Sequence, residues 1–424
     1  MRPKCDNWPN VRSIWDTLIK GALHEVHETV KIQKPWRHVM IDGERGLEVS
    51  LEAAARFTLR RHHLVERAPV ERMLEVVDDV MGLNAQGAFN YQLSLWNRVR
   101  RLTVDRLPNA LYEERCLIRS WFMRDTVHIV PARSYSLFRR GLERSLMQEW
   151  NRWTVKTGRK QAPDSWEPLY TSILEALEGS PLTLNRLMDE VGQGIDKPTL
   201  IRVVREMSLR GRVCHAASKG PWHHSTEHSF ARVDRWLPDS EGGTLSGTEA
   251  LTKLAVRYLR SYGPASFSDF AYWTGARVHD VKPAFREISD LLTEVLISGQ
   301  RGTYLMLKED VPDLTESDPE PFARLLPQFD ALIMGHRDKT RFIDQGDRGR
   351  VFLPRADVAA TILVNERVTG TWSIKKSKEN RVLTLMPSRK LSAEESEMVE
   401  AEVEGMRDFT GFQIEIELIP PQNA

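Results

Sequence analysis

The sequence predicts a mixed α+β fold in which three tandem winged-helix units are followed by a small β-rich C-terminal domain. Two observations support this prediction. A pattern of short helices that ends in two strands flanking a loop recurs three times along the chain. After an acidic, proline-containing segment at residues 309–322, strand-like runs surround one charged helix instead. Three helices with a two-stranded wing form a winged helix, and their recurrence indicates a tandem array.

The pattern divides the 424 residues into five predicted segments. They are an N-terminal extension (1–49), a first winged-helix unit with the candidate catalytic motif (50–160), a second unit (161–238), a third unit (239–310) and the C-terminal domain (320–424).

In the first unit, apolar residues recur at helical spacing after Ser50, which can cap a helix, and again over residues 73–80. Pro69 is a suitable first residue for the second of these helices, and Gly82 supplies a stop. Residues 88–131 form a looser copy of the repeated pattern. This copy ends in "IRSWFMRDTVHIVP", which predicts a strand, a turn and a second strand.

The second and third units follow the same order more closely. Helices are predicted over 166–178, 182–192 and 196–210, and "GRVCHAAS" and "SFARVDRWL" are the strands of the second wing. In the third unit, "SGTE" at 246–249 has the form of a capping box for a long helix. Two shorter helices follow, the second despite Pro283, and "TEVLISGQRGTYLML" forms a hairpin.

The overall composition restricts the class of protein. Lys plus Arg (60) and Asp plus Glu (59) nearly cancel, so a nucleic-acid site must come from local clusters of charge. The sequence has no apolar run of about 18 residues and no charged-then-apolar leader, so we expect a cytoplasmic protein without membrane contact. No phosphate loop, dinucleotide fingerprint or Ser-His-Asp pattern is present, and we expect no cofactor. Because no segment suggests dimerisation, we expect a monomer.

The stretch "MGLNAQ" (81–86) places two neutral amides after the second helix of the first unit. The chain after Gly82 is most simply extended. Side chains alternate along an extended chain, so Asn84 and Gln86 share one face while Leu83 and Ala85 share the other. On spacing alone, the simpler interpretation is that the amides cap the helix or satisfy the loop backbone.

Four segments in order and register carry a family resemblance. They are "MGLNAQ", "IRSWFMRDTVHIVP", "LLPQFDALIMGHRDKTRF" and "ATILVNERVTGTW". Over residues 50–420 the chain resembles the winged-helix DNA glycosylases of the HTH_42 (AlkZ/YcaQ-like) family. The resemblance implies a concave surface that binds double-stranded DNA and excision of N7-alkylated guanine, including bulky adducts and interstrand crosslinks. The family's catalytic motif, Gln, an apolar residue and then Gln or Asp, falls on Asn84, Ala85 and Gln86.

Amides suit the chemistry that the resemblance implies. Alkylation at N7 makes guanine cationic, so the base leaves as a neutral molecule without being protonated. Amide oxygens can hold a water molecule and face the oxocarbenium-like sugar. Asn84 departs from the family, because its amide lies one methylene, about 1.5 Å, closer to the backbone than a Gln amide. Errors of about 1 Å can lower a rate by on the order of 100-fold, so the change implies either a rearranged pocket or reduced activity.

Three segments carry the residues that we expect to contact DNA. Each basic run, taken alone, is also explained as a solvated charged face. The run at 375–381 stands out because strand-like residues flank it, and a basic hairpin tip can enter a groove. The longer stretch 133–160 is rich in arginine as well. The expected contacts are Arg124 and His128; His336, Arg337, Lys339 and Arg341; and Lys375, Lys376 and Lys378.

Two other interpretations remain open. The protein is alternatively a non-catalytic winged-helix DNA-binding protein or regulator, since "KPTLIRVVREMSLRGR" (197–212) would serve as a recognition helix. The second wing contains Cys214, His215, His223, His224 and His228, and the spacing of His224 and His228 is tolerable for zinc. A flexible polar wing explains these residues more simply, and we expect no metal.

Overall fold

The structure, a computed structural model, describes residues 47–156, 166–223, 227–238, 245–315, 320–377 and 380–421. The predicted N-terminal extension lies outside these residues, except for its last three positions. The helices of the described residues are α1 (Leu51–Arg61), α2 (Met73–Asp79), α3 (Ala88–Trp96), α4 (Arg106–Pro108), α5 (Tyr135–Lys156), α6 (Glu167–Ala176), α7 (Leu184–Val191), α8 (Lys197–Leu209), α9 (Val233–Trp236), α10 (Gly247–Tyr262), α11 (Phe267–Thr274), α12 (Val278–Glu287), α13 (Ala331–Gly335), α14 (Arg348–Val351) and α15 (Ala393–Thr410).

The strands fall into sheets of different sizes. In chain order they are β1 (Leu47–Val49), β2 (Leu83–Asn84), β3 (Leu117–Trp121), β4 (Val127–Pro131), β5 (Leu182–Thr183), β6 (Val213–Lys219), β7 (Glu227–Arg232), β8 (Leu292–Ile297), β9 (Tyr304–Leu307), β10 (Ala323–Leu326), β11 (Phe352–Leu353), β12 (Asp357–Val358), β13 (Ala360–Val364), β14 (Arg367–Ser377), β15 (Asn380–Pro387) and β16 (Ile414–Leu418). The sheet orders are β2-β4-β3-β6-β7-β5, β10-β13-β14-β15-β16, β1-β8-β9 and β11-β12.

Local signals in the sequence set several of the helix ends. Ser50 accepts a hydrogen bond from the Ala53 amide (2.9 Å) at the start of α1. The capping box of α10 is present in both directions between Ser246 and Glu249, and α12 continues through Pro283 as predicted. Pro69 differs from its predicted place, because it precedes a 3₁₀ turn that leads into α2.

The mixed α+β class is confirmed, whereas the three winged-helix units and their boundaries stay a prediction. The expected helices and hairpins occur in the expected order. However, the first two hairpins are not separate wings, because β3 pairs with β6 and so joins both hairpins in one six-stranded sheet. The third hairpin instead pairs with β1, in a parallel register that places Leu47 beside Val295.

An extensive apolar core among the described residues joins the candidate motif to the C-terminal sheet. Leu83 and Ala85 pack in the same buried cluster as Leu325, Ile362 and Trp372. A fully buried ion pair lies alongside it, in which Arg98 Nη2 is 2.7 Å from Asp330 Oδ1. The strand that carries the motif is therefore supported by both halves of the chain.

Candidate active site and DNA-binding surface

The backbone turns sharply between α2 and the motif. Gly82 has a φ of +97°, which side chains other than hydrogen rarely allow. A Cβ at this position would lie 2.9 Å from Val130 Cγ1 and 3.0 Å from the carbonyl oxygen of Ile129. Only glycine therefore lets the chain leave the helix and approach β4 this closely.

The motif itself forms the edge strand β2, as the alternation in the sequence predicts. Leu83 pairs with Ile129 and Asn84 pairs with His128. Leu83 and Ala85 are buried, whereas Asn84 is half-buried and Gln86 is exposed. The extended conformation therefore presents both amides on the side away from the core.

The two amides contact each other directly. Asn84 Nδ2 donates to Gln86 Oε1 (3.2 Å), and the backbone N–H of Gln86 donates to Asn84 Oδ1 (3.3 Å). Both polar ends of the Asn84 side chain are thus engaged within the motif. Gln86 Oε1 has a second lone pair, which remains available for a water molecule.

Arg119 holds the middle residue of the motif and was not among the site residues predicted from the sequence. Its Nη2 donates to the carbonyl oxygen of Ala85 (2.9 Å), and its guanidinium lies 5.8 Å from the ring centroid of Tyr91. The side chain is almost fully buried. The available signal was one cation in the otherwise uncharged strand "LIRSW", since a buried arginine needs an internal acceptor.

A pocket opens beside the motif, and it brings together Asn84, Arg124 and His128. The remaining lining residues are largely apolar and come from several parts of the chain. They are Gly82, Met123, Tyr262, Trp273, Phe329, Ala331 and Met334. Carboxylates are absent from this set of lining residues.

Arg124 reaches inward from the turn that precedes β4. The residue has a positive φ of 55°, and its Nη1 donates to the carbonyl oxygen of Trp273 (2.9 Å). Its guanidinium also lies 5.4 Å from the ring centroid of Tyr272. Arg124 therefore links the first hairpin to α11 and lines the pocket, and its role as a DNA contact stays a prediction.

His128 is uncharged in this environment. Its Nδ1 donates to the carbonyl oxygen of Thr126 (2.9 Å). Burial, with a smaller contribution from the charge of Arg124, lowers the pKa of His128 to about 3. His128 thus lines the pocket as a neutral imidazole and cannot contact phosphate as a cation at neutral pH.

The segment "GHRDKTR" is not the exposed basic loop that the sequence suggested. Arg337 is exposed, but His336, Lys339 and Arg341 expose only 3%, 6% and 2% of their surface. The prediction that these three side chains lie on the surface was wrong, because their N–H groups donate hydrogen bonds to carbonyl oxygens in the interior. His336 Nε2 bonds to Tyr262 O (2.7 Å), Lys339 Nζ to Ile333 O (2.8 Å) and Arg341 Nη2 to Pro264 O (2.6 Å).

The predicted basic hairpin is present as β14 and β15. Lys375 pairs with Val382 and Lys376 pairs with Arg381. Both lysines are exposed, whereas Lys378 lies outside the described residues. This hairpin keeps its cations on the surface, as a DNA contact would require.

The arginine-rich stretch 133–160 offers less free charge than its composition suggests. Most of its described arginines are paired with carboxylates, and Arg159 and Lys160 lie outside the described residues. The pairs are Arg133–Asp78 (2.7 Å), Arg139–Glu143 (3.1 Å), Arg144–Asp280 (2.8 Å) and Arg152–Glu149 (2.5 Å).

Neither a metal cluster nor a membrane span is found in the part of the chain that the structure describes. No three His, Cys, Asp or Glu side chains converge there, although His224 lies outside that part. His215 is buried beside His228, with ring centroids 5.8 Å apart. No helix among the described residues is both long and apolar enough to cross a bilayer.

Residues 77–409 match the family model described as "DNA glycosylase AlkZ-like". The fold is similar to that of the Streptomyces sahachiroi DNA glycosylase AlkZ, with a TM-score of 0.73 and 20% sequence identity. The similarity covers 88% of this chain and 100% of that one. At this identity, the likeness to the solved structure shows a shared fold. No curated protein matches the sequence.

Proposed function

Because the chain belongs to the AlkZ-like family of DNA glycosylases, we propose that it excises N7-alkylated guanine from double-stranded DNA as a monofunctional enzyme. In this proposal the amides of Asn84 and Gln86 form the catalytic motif, and Gln86 holds the attacking water. The water oxygen bonds to the anomeric carbon of the deoxyribose while the glycosidic bond breaks. The bonding electron pair goes to the base, which leaves neutral, and the water proton passes to solvent. The product is an intact abasic site.

One observation carries this proposal, namely that the amide pair lies on a braced strand beside a pocket without a lining carboxylate. A neutral base leaves poorly unless an acid protonates it, whereas an N7-alkylated base already carries its charge. Fixed dipoles are then sufficient to stabilise the sugar cation and to aim the water. The chemistry of the site and that of a cationic lesion therefore agree.

The same argument extends to bulky N7 adducts and to crosslinks through N7. Each of these lesions carries the same positive charge on the departing guanine, so the bond breaks for the same reason. Lys375 and Lys376, with Lys378, would hold the duplex through its phosphates, and exposed Arg337 would add a contact. We propose that a monomer is the active species.

The deciding experiment incubates the purified chain with a duplex that contains one N7-methylguanine. Chromatography with mass detection should find free N7-methylguanine, and alkali should then break the strand at the abasic site. A matched duplex with uracil should remain intact, because uracil leaves as an anion that this pocket does not protonate. Tight binding to the lesion duplex without any released base would instead support a non-catalytic DNA-binding protein.

A further inference from the structure

Asn84 is engaged by its neighbour in the motif rather than directed into the pocket. Its amide is one methylene shorter than that of glutamine, and both of its polar ends bond to Gln86. Asn84 therefore orients Gln86, whereas its own oxygen does not extend further into the pocket. A water molecule held only by Gln86 could rotate about that single bond, so a second acceptor is needed to fix its direction.

The strand register places His128 directly opposite Asn84. The Ala85 amide donates to the carbonyl oxygen of Val127 (2.7 Å), so Ala85 and Val127 are a hydrogen-bonded pair. Antiparallel pairs alternate, so Asn84 and His128 form the closer, non-hydrogen-bonded kind, with Cα atoms about 4.5 Å apart. Their side chains are direct cross-strand neighbours on one face, and both line the pocket.

The imidazole of His128 also has the required tautomer. Nδ1 donates to Thr126 O, so the proton resides on Nδ1 and the lone pair on Nε2. Among the described residues no donor occupies Nε2. The neighbouring guanidinium of Arg124, which is bonded to Trp273 O, disfavours a second proton on the ring.

We propose that His128 Nε2 is the second acceptor for the attacking water and replaces the reach that Asn84 lacks; this inference rests on the proposed function. The water donates one hydrogen to Gln86 Oε1 and the other to His128 Nε2, so a lone pair of its oxygen points at the anomeric carbon. As the new C–O bond forms and the C–N bond to guanine breaks, His128 Nε2 keeps accepting the hydrogen bond and the water becomes acidic. The released water proton passes to solvent, as in the proposed function, and the imidazole stays neutral throughout.

The test compares single-turnover base release by the wild-type protein, His128→Ala, Asn84→Gln and the double variant on N7-methylguanine duplex. His128→Ala should slow release by at least about 30-fold, since misplacement of a reacting group by about 1 Å can cost on the order of 100-fold. Binding to the same duplex should change by less than about 2-fold. Asn84→Gln restores the longer amide, so the double variant should recover to within about 5-fold of the wild-type rate.

Two further variants separate this role from a structural one. His128→Gln keeps an acceptor at a similar reach and should retain most of the rate, whereas His279→Ala, an exposed histidine on α12, should behave as the wild-type protein. An unchanged rate in His128→Ala would overturn the inference. The inference would also be overturned if His128→Ala lowered both the rate of base release and the melting temperature, and if neither His128→Gln nor Asn84→Gln restored the rate. If the wild-type protein itself releases no base, the proposed function fails first and this inference fails with it.

Discussion

Arg119 and Ala85 are joined by a hydrogen bond of 2.9 Å from a buried guanidinium to the carbonyl oxygen in the middle of the amide motif. Strand β2 is only two residues long and pairs with β4 on one side. Arg119 therefore supplies the other half of its support. The motif keeps its shape because β4 provides a backbone ladder and β3, the next strand in the sheet, provides a side-chain clamp.

Arg119→Met should slow base release by about 10- to 100-fold, because a shift of the motif by about 1 Å has an effect of this size. Binding to the lesion duplex should change by less than about 3-fold, since Arg119 is buried and does not face solvent. Exposed Arg301→Met is the matched control and should leave both properties unchanged. Normal turnover by Arg119→Met would show that β2 does not need the clamp.

Gln86→Ala should lower single-turnover release of N7-methylguanine by at least about 10-fold. The substitution removes a contact to the attacking water and no contact to phosphate, so the dissociation constant for DNA should change little. Exposed Gln345→Ala controls for loss of an amide elsewhere. A parallel loss of binding and turnover would assign Gln86 to the structure of the site rather than to its chemistry.

Replacement of Lys375, Lys376 and Lys378 by Ala should weaken DNA binding and flatten its dependence on salt. Each lost phosphate contact removes about 0.9 from the slope of log K against log salt, so the slope should fall by up to about three units. Binding titrations at several salt concentrations measure this directly. Exposed Lys308→Ala should leave the slope as it is; an equally steep slope in the triple variant would place the hairpin away from the duplex.

The rate of base release should vary little between about pH 6 and 8, without the bell shape of a paired acid and base. His128 stays neutral over that range because its pKa is about 3, and of the other groups that line the pocket Arg124 stays charged and Tyr262 stays neutral. A pH series of single-turnover measurements tests this expectation. A steep change near pH 6.5 would point to a histidine that titrates in the reaction.

Stability, unlike the rate, should depend on pH below about 6.5. His128 and His336 both have a pKa of about 3 in the folded protein, so between about pH 3 and 6.5 the unfolded chain binds more protons than the folded one. Their contribution to stability is complete above that window and is lost as pH falls through it. Each histidine adds a slope of up to about 1.4 kcal/mol per pH unit. Denaturant titrations of His336→Gln should show a shallower fall with pH than the wild-type protein.

Local features of this chain were predictable from its sequence. The Ser246–Glu249 capping box and the alternation of Leu83, Asn84 and Ala85 depend on neighbours within a few residues, so they can be recognised from spacing. The basic hairpin at Lys375 was recognised in the same way, because strand-like residues flank it.

Long-range features were not predictable in this way. The pairing of Arg119 with His215 joins residues far apart in the chain, and no periodic pattern specifies it. Lys339 and Arg341 looked like surface charges because a basic run usually is one. Their burial depends on carbonyl oxygens at Ile333 and Pro264, which need donors only after the helices have packed.

The apolar core shared by the motif strand and the C-terminal sheet also determines how the chain can be divided. A protein cut at the acidic segment before Glu320 would lose Leu325, Ile362 and Trp372, which belong to the same buried cluster as Leu83 and Ala85. The uncovered side chains would meet water, and such a fragment should aggregate or be digested by proteases instead of acting as a smaller enzyme. A chimaera that takes its C-terminal domain from a relative would therefore fold only if the core side chains of the motif strand came from the same relative.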